Sequence, residues 1–148
     1  MSDQNGSVLR CYVIKVYFYD MKTLKWTETA GPGEEVNIAY ATQTGADWRM
    51  HTHDFVEIFR VDSGRGIHLL GQEETEQTLG PGQVVFVRDR DVHGFRAVPG
   101  SEPFAIVNVA FSRPAWNGLR DRYSLRDHPF FSEQDPAPPV QEMSGEAD

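Results

Sequence analysis

Apolar residues along this chain fall into short runs, each stopped by glycine, proline or serine, which is the rhythm of a many-stranded fold. From Val8 to Tyr19 the residues are mostly β-branched or aromatic and suit one long strand or two short ones. Gly31-Pro32-Gly33 is a turn, and Val36 to Ala41 reads as the next strand. His51 to Asp62 is a third apolar-rich run, closed by Ser63-Gly64. Gly66 to Leu70 and Gln72 to Leu79 flank Gly71, predicting a hairpin whose second strand is polar and exposed. Gly80-Pro81-Gly82 turns the chain into Gln83 to Arg88. His93 to Val98 and Phe104 to Phe111 complete the series, parted by Pro99-Gly100.

The period changes at Ser112. Ser112 can cap a helix, Pro114 suits its first turn, and Trp116, Leu119 and Tyr123 recur at helical spacing. This predicts one short helix whose apolar face packs on the strands or on a partner subunit. From Ser132 to Asp148 there are three prolines, five acidic residues and no basic ones, a composition that predicts a disordered tail. The division is therefore a folded domain over 1–131 and a tail over 132–148, with no internal repeat.

Composition narrows the function classes. A chain of 148 residues can close one sizeable core. Its formal charge of −8 repels a phosphate backbone, so direct nucleic-acid binding is not expected. Arg113, Arg120, Arg122 and Arg126 form the one basic cluster. Asp121 and Asp127 interrupt it, and it reads as a solvated helix face. Cys11 is the only cysteine, which excludes an internal disulfide. The polar stretch Met1 to Ser7 lacks a signal-peptide pattern, and no apolar run approaches the roughly 20 residues that span a bilayer. A cytoplasmic location, away from membranes, is expected.

The chemistry gathers around residue 51. His51, His53 and Glu57 are all odd-numbered, so on a single strand they share one face. Phe55 and Phe59 share it too. Two histidines and a carboxylate on an otherwise apolar wall are costly unless something satisfies them. A divalent transition metal does so, and this donor set suits iron, manganese, nickel, copper or zinc. A pair of exposed histidines beside an unrelated glutamate is the alternative.

The surrounding glycines add a motif. Gly45, five residues, His51, one, His53, three, Glu57, six, Gly64 resembles the first cupin motif without a gap. Gly82 and His93 fall where the second motif has its glycine and last histidine, whereas Arg88, Arg90 and Ala97 replace its usual proline, glycine and asparagine. The resemblance implies an all-β, cupin-type double-stranded β-helix, or jelly-roll barrel, followed by the short helix. It also implies a four-ligand metal site of His51, His53, Glu57 and His93. His68 lies outside the motif and reads as structural or surface. Trp48, Phe55, Phe59, Phe86, Tyr40 and Asn108 come from segments that line or cap such a barrel, as pocket residues or as simple filling. Arg88 ends an apolar strand near the ligand loop and reads either as a clamp for a carboxylate or phosphate or as a solvent-facing loop residue.

From His51 to Phe111, the strings His-x-His-Asp-Phe-x-Glu-Ile, Gly-x-Gly-x-His-Leu and Asp-Val-His-Gly-Phe, continued by Asn108-Val-Ala-Phe-Ser, resemble the N-terminal effector-binding domain of AraC-type transcriptional regulators. That resemblance implies a small-molecule ligand, often a sugar, a role in transcription regulation, and dimerisation through adjoining helices. The DNA-reading part of such regulators is a separate C-terminal domain. Only 37 residues follow Phe111 here, so this chain by itself is not expected to bind an operator. A homodimer is expected. The alternative is a free-standing metal-dependent cupin enzyme, a dioxygenase or an isomerase. No positioned general base can be nominated for it from the sequence.

Overall fold

The computed structural model describes residues 21–43 and 48–143; the Val8 to Tyr19 run and Gly45 lie outside them. In chain order the elements are β1 (Lys22–Leu24), α1 (Trp26–Thr29), β2 (Val36–Gln43), β3 (Trp48–His53), β4 (Val56–Ser63), β5 (Gly66–Leu70) and β6 (Thr75–Leu79). These are followed by β7 (Gln83–Val87), β8 (His93–Ala97), β9 (Phe104–Phe111), α2 (Arg113–Arg122) and β10 (Val140–Glu142). No helix among the described residues is long and apolar enough to cross a membrane.

Among the described residues, ten strands form two five-stranded sheets, ordered β1-β3-β8-β5-β6 and β10-β7-β4-β9-β2. Only β1 against β3 is parallel. The remaining described ladders are antiparallel. Cross-strand partners share a face. Glu57 lies opposite both Val87 and Ala110, and Phe59 opposite both Val85 and Asn108, so these six residues line one wall. Phe59, Val61, Val85, Val87, Phe104 and Ile106 of that sheet pack with Leu79 and Phe95 of the other as one buried core. The expected all-β, cupin-type jelly roll is the fold observed.

One expectation about this wall is corrected. His51 to Asp62 is two strands, not one: β3 ends at His53, Asp54 and Phe55 form a bend, and β4 begins at Val56 in the opposite sheet. The period-two argument across residues 51–57 therefore does not apply. His53 and Glu57 meet because the chain folds over between the sheets. Asp54 anchors that bend by accepting from the Trp26 backbone N–H through Oδ1 at 2.7 Å.

Gly64 closes β4 with φ of 71°. A Cβ there would run into the carbonyl oxygens of Glu102 and Pro103, so the position needs glycine for both conformation and space.

The outer face of the second sheet is covered from the C-terminal side. Ser112 caps α2 by accepting from the Ala115 N–H at 3.2 Å, with proline in the first turn. Trp116 is buried against Val56 and Phe86, joined by Phe130 and Phe131. Tyr123 departs from its expected place on the apolar face: it ends the helix and is 62% exposed. Three arginines of the basic cluster are ion-paired. Arg113 pairs with Asp89 and with Glu133, Arg120 with Glu133, and Arg126 with Asp121.

The tail expectation is corrected as well. Within 132–148, residues 132–143 are docked: β10 pairs with β7, and the Phe86 N–H donates to the Pro139 carbonyl at 3.0 Å. Pro138 is buried. Acidic, proline-rich composition argues for disorder only where the segment finds no partner. Here the free edge of β7 and the Arg88 side chain provide one. Residues 144–148 lie outside those described.

Candidate metal centre

His53 at the end of β3, Glu57 near the start of β4 and His93 at the start of β8 converge between the sheets, all buried. One ligating atom from each lies within 4.8 Å of the others. Glu57 Oε1 stands 3.5 Å from His53 Nε2 and 3.3 Å from His93 Nε2. Neither imidazole nitrogen has a hydrogen-bond partner. A buried polar atom left in that state costs about 1–3 kcal/mol.

The second nitrogen of each ring explains which atom is bare. His53 Nδ1 lies 2.6 Å from the Phe55 carbonyl. A carbonyl can only accept, so Nδ1 carries the proton and Nε2 of the neutral ring is a lone pair. His93 Nδ1 lies 2.8 Å from His68 Nε2. Asn108 Nδ2 donates to Glu57 Oε2 at 2.9 Å, which leaves Oε1 turned to the histidines.

Charge follows the same geometry. Burial alone would raise the Glu57 carboxyl, but the nearby His53 charge and the Asn108 amide overcome it and hold the group at about 2. Burial alone would lower His53, but the Glu57 carboxylate reverses the balance and raises it above its ordinary 6.5. Burial, followed by the neighbouring His51 and His68, keeps His93 well below 6.5 and therefore neutral. An ionised carboxylate, two imidazole nitrogens without partners and an apolar surround fit a divalent ion. With the His53 ring in its neutral form, they would make a donor set for such an ion.

The other expected residues distribute unevenly. His51 lies directly across the ladder from His93, with ring centroids 4.5 Å apart, and its ring centroid is 6.1 Å from that of His53. Its ring is thus adjacent to those of the trio. Phe55 is buried, stacked on His53 at 4.4 Å and met edge-on by Trp26 at 5.6 Å. Phe59 is fully buried core, and Phe86 packs on Trp116 behind the sheet. Tyr40 is on the opposite face of β2 from Ala39, which pairs with Asn108; its hydroxyl lies 3.3 Å from Asp62 Oδ2. The Trp48 side chain lies outside the described residues.

Arg88 is neither of its two readings. It is 1% exposed. Nε and Nη2 donate to Asp91 Oδ2 and Oδ1 at 2.7 and 2.9 Å, and Nη1 donates to the Ser132 carbonyl at 2.9 Å. Its donors lock the loop that delivers His93.

His68 is the residue the sequence undervalued. It is completely buried, reaches His93 through Nε2, and reaches Gln77 Oε1 through Nδ1 at 3.1 Å. Gln77 lies directly opposite it across the β5–β6 ladder. The signal was present in the hairpin but depended on its turn length. A turn of residues 71–74, with Glu74 at φ 51°, sets the register that pairs 68 with 77. A turn at Gly71 alone does not.

Comparison with known proteins fits this architecture. The family model for the AraC-like ligand binding domain matches residues 32–145. The HTH-type transcriptional activator RhaS of Yersinia pestis is 39% identical over 64 residues, which is 43% of this chain and 22% of RhaS. The match thus spans about a fifth of that relative's length. Among solved structures, apo ToxT from Vibrio cholerae superposes with a TM-score of 0.52 at 10% identity, over 74% of this chain and 41% of that one. A cupin protein from Bacteroides fragilis gives 0.44 at 21% identity, over 53% of this chain and 64% of that one. A model match over most of the chain, on a jelly roll of two five-stranded sheets, places the protein in the AraC-like ligand-binding domain family, a cupin-fold family.

Proposed function

We propose that this chain is a ligand-sensing barrel in which His53, Glu57 and His93, joined by His51, hold a divalent transition metal that anchors a small molecule. One observation carries the reading: two buried imidazole nitrogens without hydrogen-bond partners face a carboxylate held ionised between them. A bound ion would supply a Lewis-acidic anchor for oxygen or nitrogen donors of the small molecule.

The chain's own residues supply the rest. Asn108 orients Glu57 through Nδ2, and its buried Oδ1 lacks a partner, ready to accept from a ligand hydroxyl or amine. Phe55 and Trp26 give the His53 side an apolar, aromatic border. RhaS is named as a transcriptional activator, and this supports a role as the sensing module of such a regulator. The net charge of −8 supports leaving any DNA contact to another module. Exposed Val36 and Ile38 on β2, 44% and 49% accessible, favour a homodimer that covers them. Function in the cytoplasm is part of the same proposal.

The test is metal uptake by protein first stripped with a chelator, using Zn2+, Mn2+, Fe2+ and Ni2+ separately. Elemental analysis should return close to one ion per chain for at least one of them, and His93→Ala should abolish it. Equal uptake by wild type and His93→Ala would overturn the assignment.

A further inference from the structure

His93 meets Glu57 with one nitrogen and His68 with the other, so its proton can sit on one side only while the ring is neutral. His68 is held rigidly for this contact. Phe95 stacks on it at 4.9 Å and 15°, and Phe59 meets it edge-on at 5.4 Å and 89°. Strands β8, β5 and β6 are adjacent, and His68 lies opposite both Phe95 and Gln77. The three polar side chains therefore form a line from half-buried Gln77 to the fully buried His93.

Donor and acceptor roles along that line are interlocked. Gln77 Oε1 can only accept, so His68 Nδ1 carries a proton and His68 Nε2 is a lone pair. That lone pair accepts from His93 Nδ1–H, which leaves His93 Nε2 bare and turned to Glu57. Turning the Gln77 amide over reverses every role. Its NH2 group then donates to His68 Nδ1, His68 Nε2–H donates to His93 Nδ1, and the His93 proton moves to Nε2, where it blocks the ligating atom.

We propose that Gln77 and His68 are positioning residues that fix the tautomer of His93, and thereby set whether its Nε2 is a ligand atom. The inference rests on the metal reading above, and it adds a control point two side chains removed from the ion. Partners of metal-bound histidines act in this way generally, and their loss weakens binding by roughly 10–100-fold.

The experiment uses the full chain and two readouts. Nitrogen-15 NMR of the metal-free protein at mildly alkaline pH reads the His93 tautomer directly. Competition with a chromophoric chelator reads the affinity for Zn2+ alone. Wild type and Gln77→Glu, whose carboxylate can only accept, should both show His93 protonated at Nδ1 and bind Zn2+ equally. Gln77→Leu and His68→Phe should move His93 toward the Nε2–H form and weaken Zn2+ by roughly 10–100-fold. His68→Phe tests a core position, and Gln77→Leu, at a half-buried site on an exposed strand, carries the result if that variant does not fold. An unchanged His93 tautomer in Gln77→Leu overturns the relay, even if wild type binds Zn2+. A wild type that takes up none of Zn2+, Mn2+, Fe2+ and Ni2+ overturns the metal reading, and the tautomer shift alone then decides the relay.

Discussion

Arg88 and Asp91, three residues apart in the loop from β7 to β8, close on each other through two side-chain hydrogen bonds of 2.7 and 2.9 Å. Asp91 Oδ2 also accepts from the Arg88 backbone N–H at 2.8 Å. Both side chains are buried. Removing one partner strands a buried charge, which costs about 3–5 kcal/mol. Asp91→Ala is therefore expected to lower unfolding free energy by that amount in urea titrations. Replacing both residues together by apolar side chains should recover part of it. A loss under 1 kcal/mol would mean the pair behaves like an exposed one.

The proposed ligands give a second expectation. His53→Ala, Glu57→Ala and His93→Ala should each remove metal binding below detection by calorimetry. His51→Ala, standing beside the trio, should weaken binding and leave it measurable. Loss in His51→Ala as complete as in His93→Ala would place residue 51 among the indispensable ligands.

Acid should open the metal-free protein well above the usual carboxylate range. Burial holds His68 at about 4, against 6.5 for a free imidazole. The unfolded chain therefore takes up that proton first, and stability present above pH 6.5 is lost as pH falls toward 4. A depression of that size corresponds to on the order of 3 kcal/mol. Glu57, held at about 2 against 4.5, adds a further loss between those values. His53 acts oppositely, since its raised value favours the fold below 6.5. Denaturant midpoints across this range should fall toward acid, and His68→Phe should flatten the upper part of the profile.

Deleting residues 132–148 should destabilise the barrel. The deletion takes away the β10 ladder on β7, the Pro139 carbonyl that receives the Phe86 N–H, and the Ser132 carbonyl that receives Arg88. At about 1 kcal/mol for each hydrogen bond, at least about 2 kcal/mol should be lost. That is a fall of several degrees in Tm for a domain of this size. An unchanged Tm would show the segment makes no net contribution.

Much of this molecule was legible beforehand because period-two runs and glycine-proline turns are local signals. The strands β2, β5, β7, β8 and β9 and the Ser112-capped helix come from them directly. Alternation along the chain singles out His53 and Glu57, and the motif resemblance adds His93, but a single strand does not join the first two, which lie on β3 and β4 of opposite sheets. Asp54 and Phe55 look like strand residues in sequence; only contact with α1 makes them a bend. His68 and the docked segment were hidden because their partners are distant in sequence: Gln77 and His93 lie 9 and 25 residues from His68, and β10 pairs with β7. Arg88 has one partner nearby, Asp91, but its bond to the Ser132 carbonyl spans 44 residues.

The bend after His53 has a mechanical result. Two of the three clustered donors belong to one sheet and the third to the other, so an ion gripping all of them rivets the sandwich across its seam. Prying the layers apart would then mean tearing out the rivet, and occupancy at the centre would stiffen strands far from it.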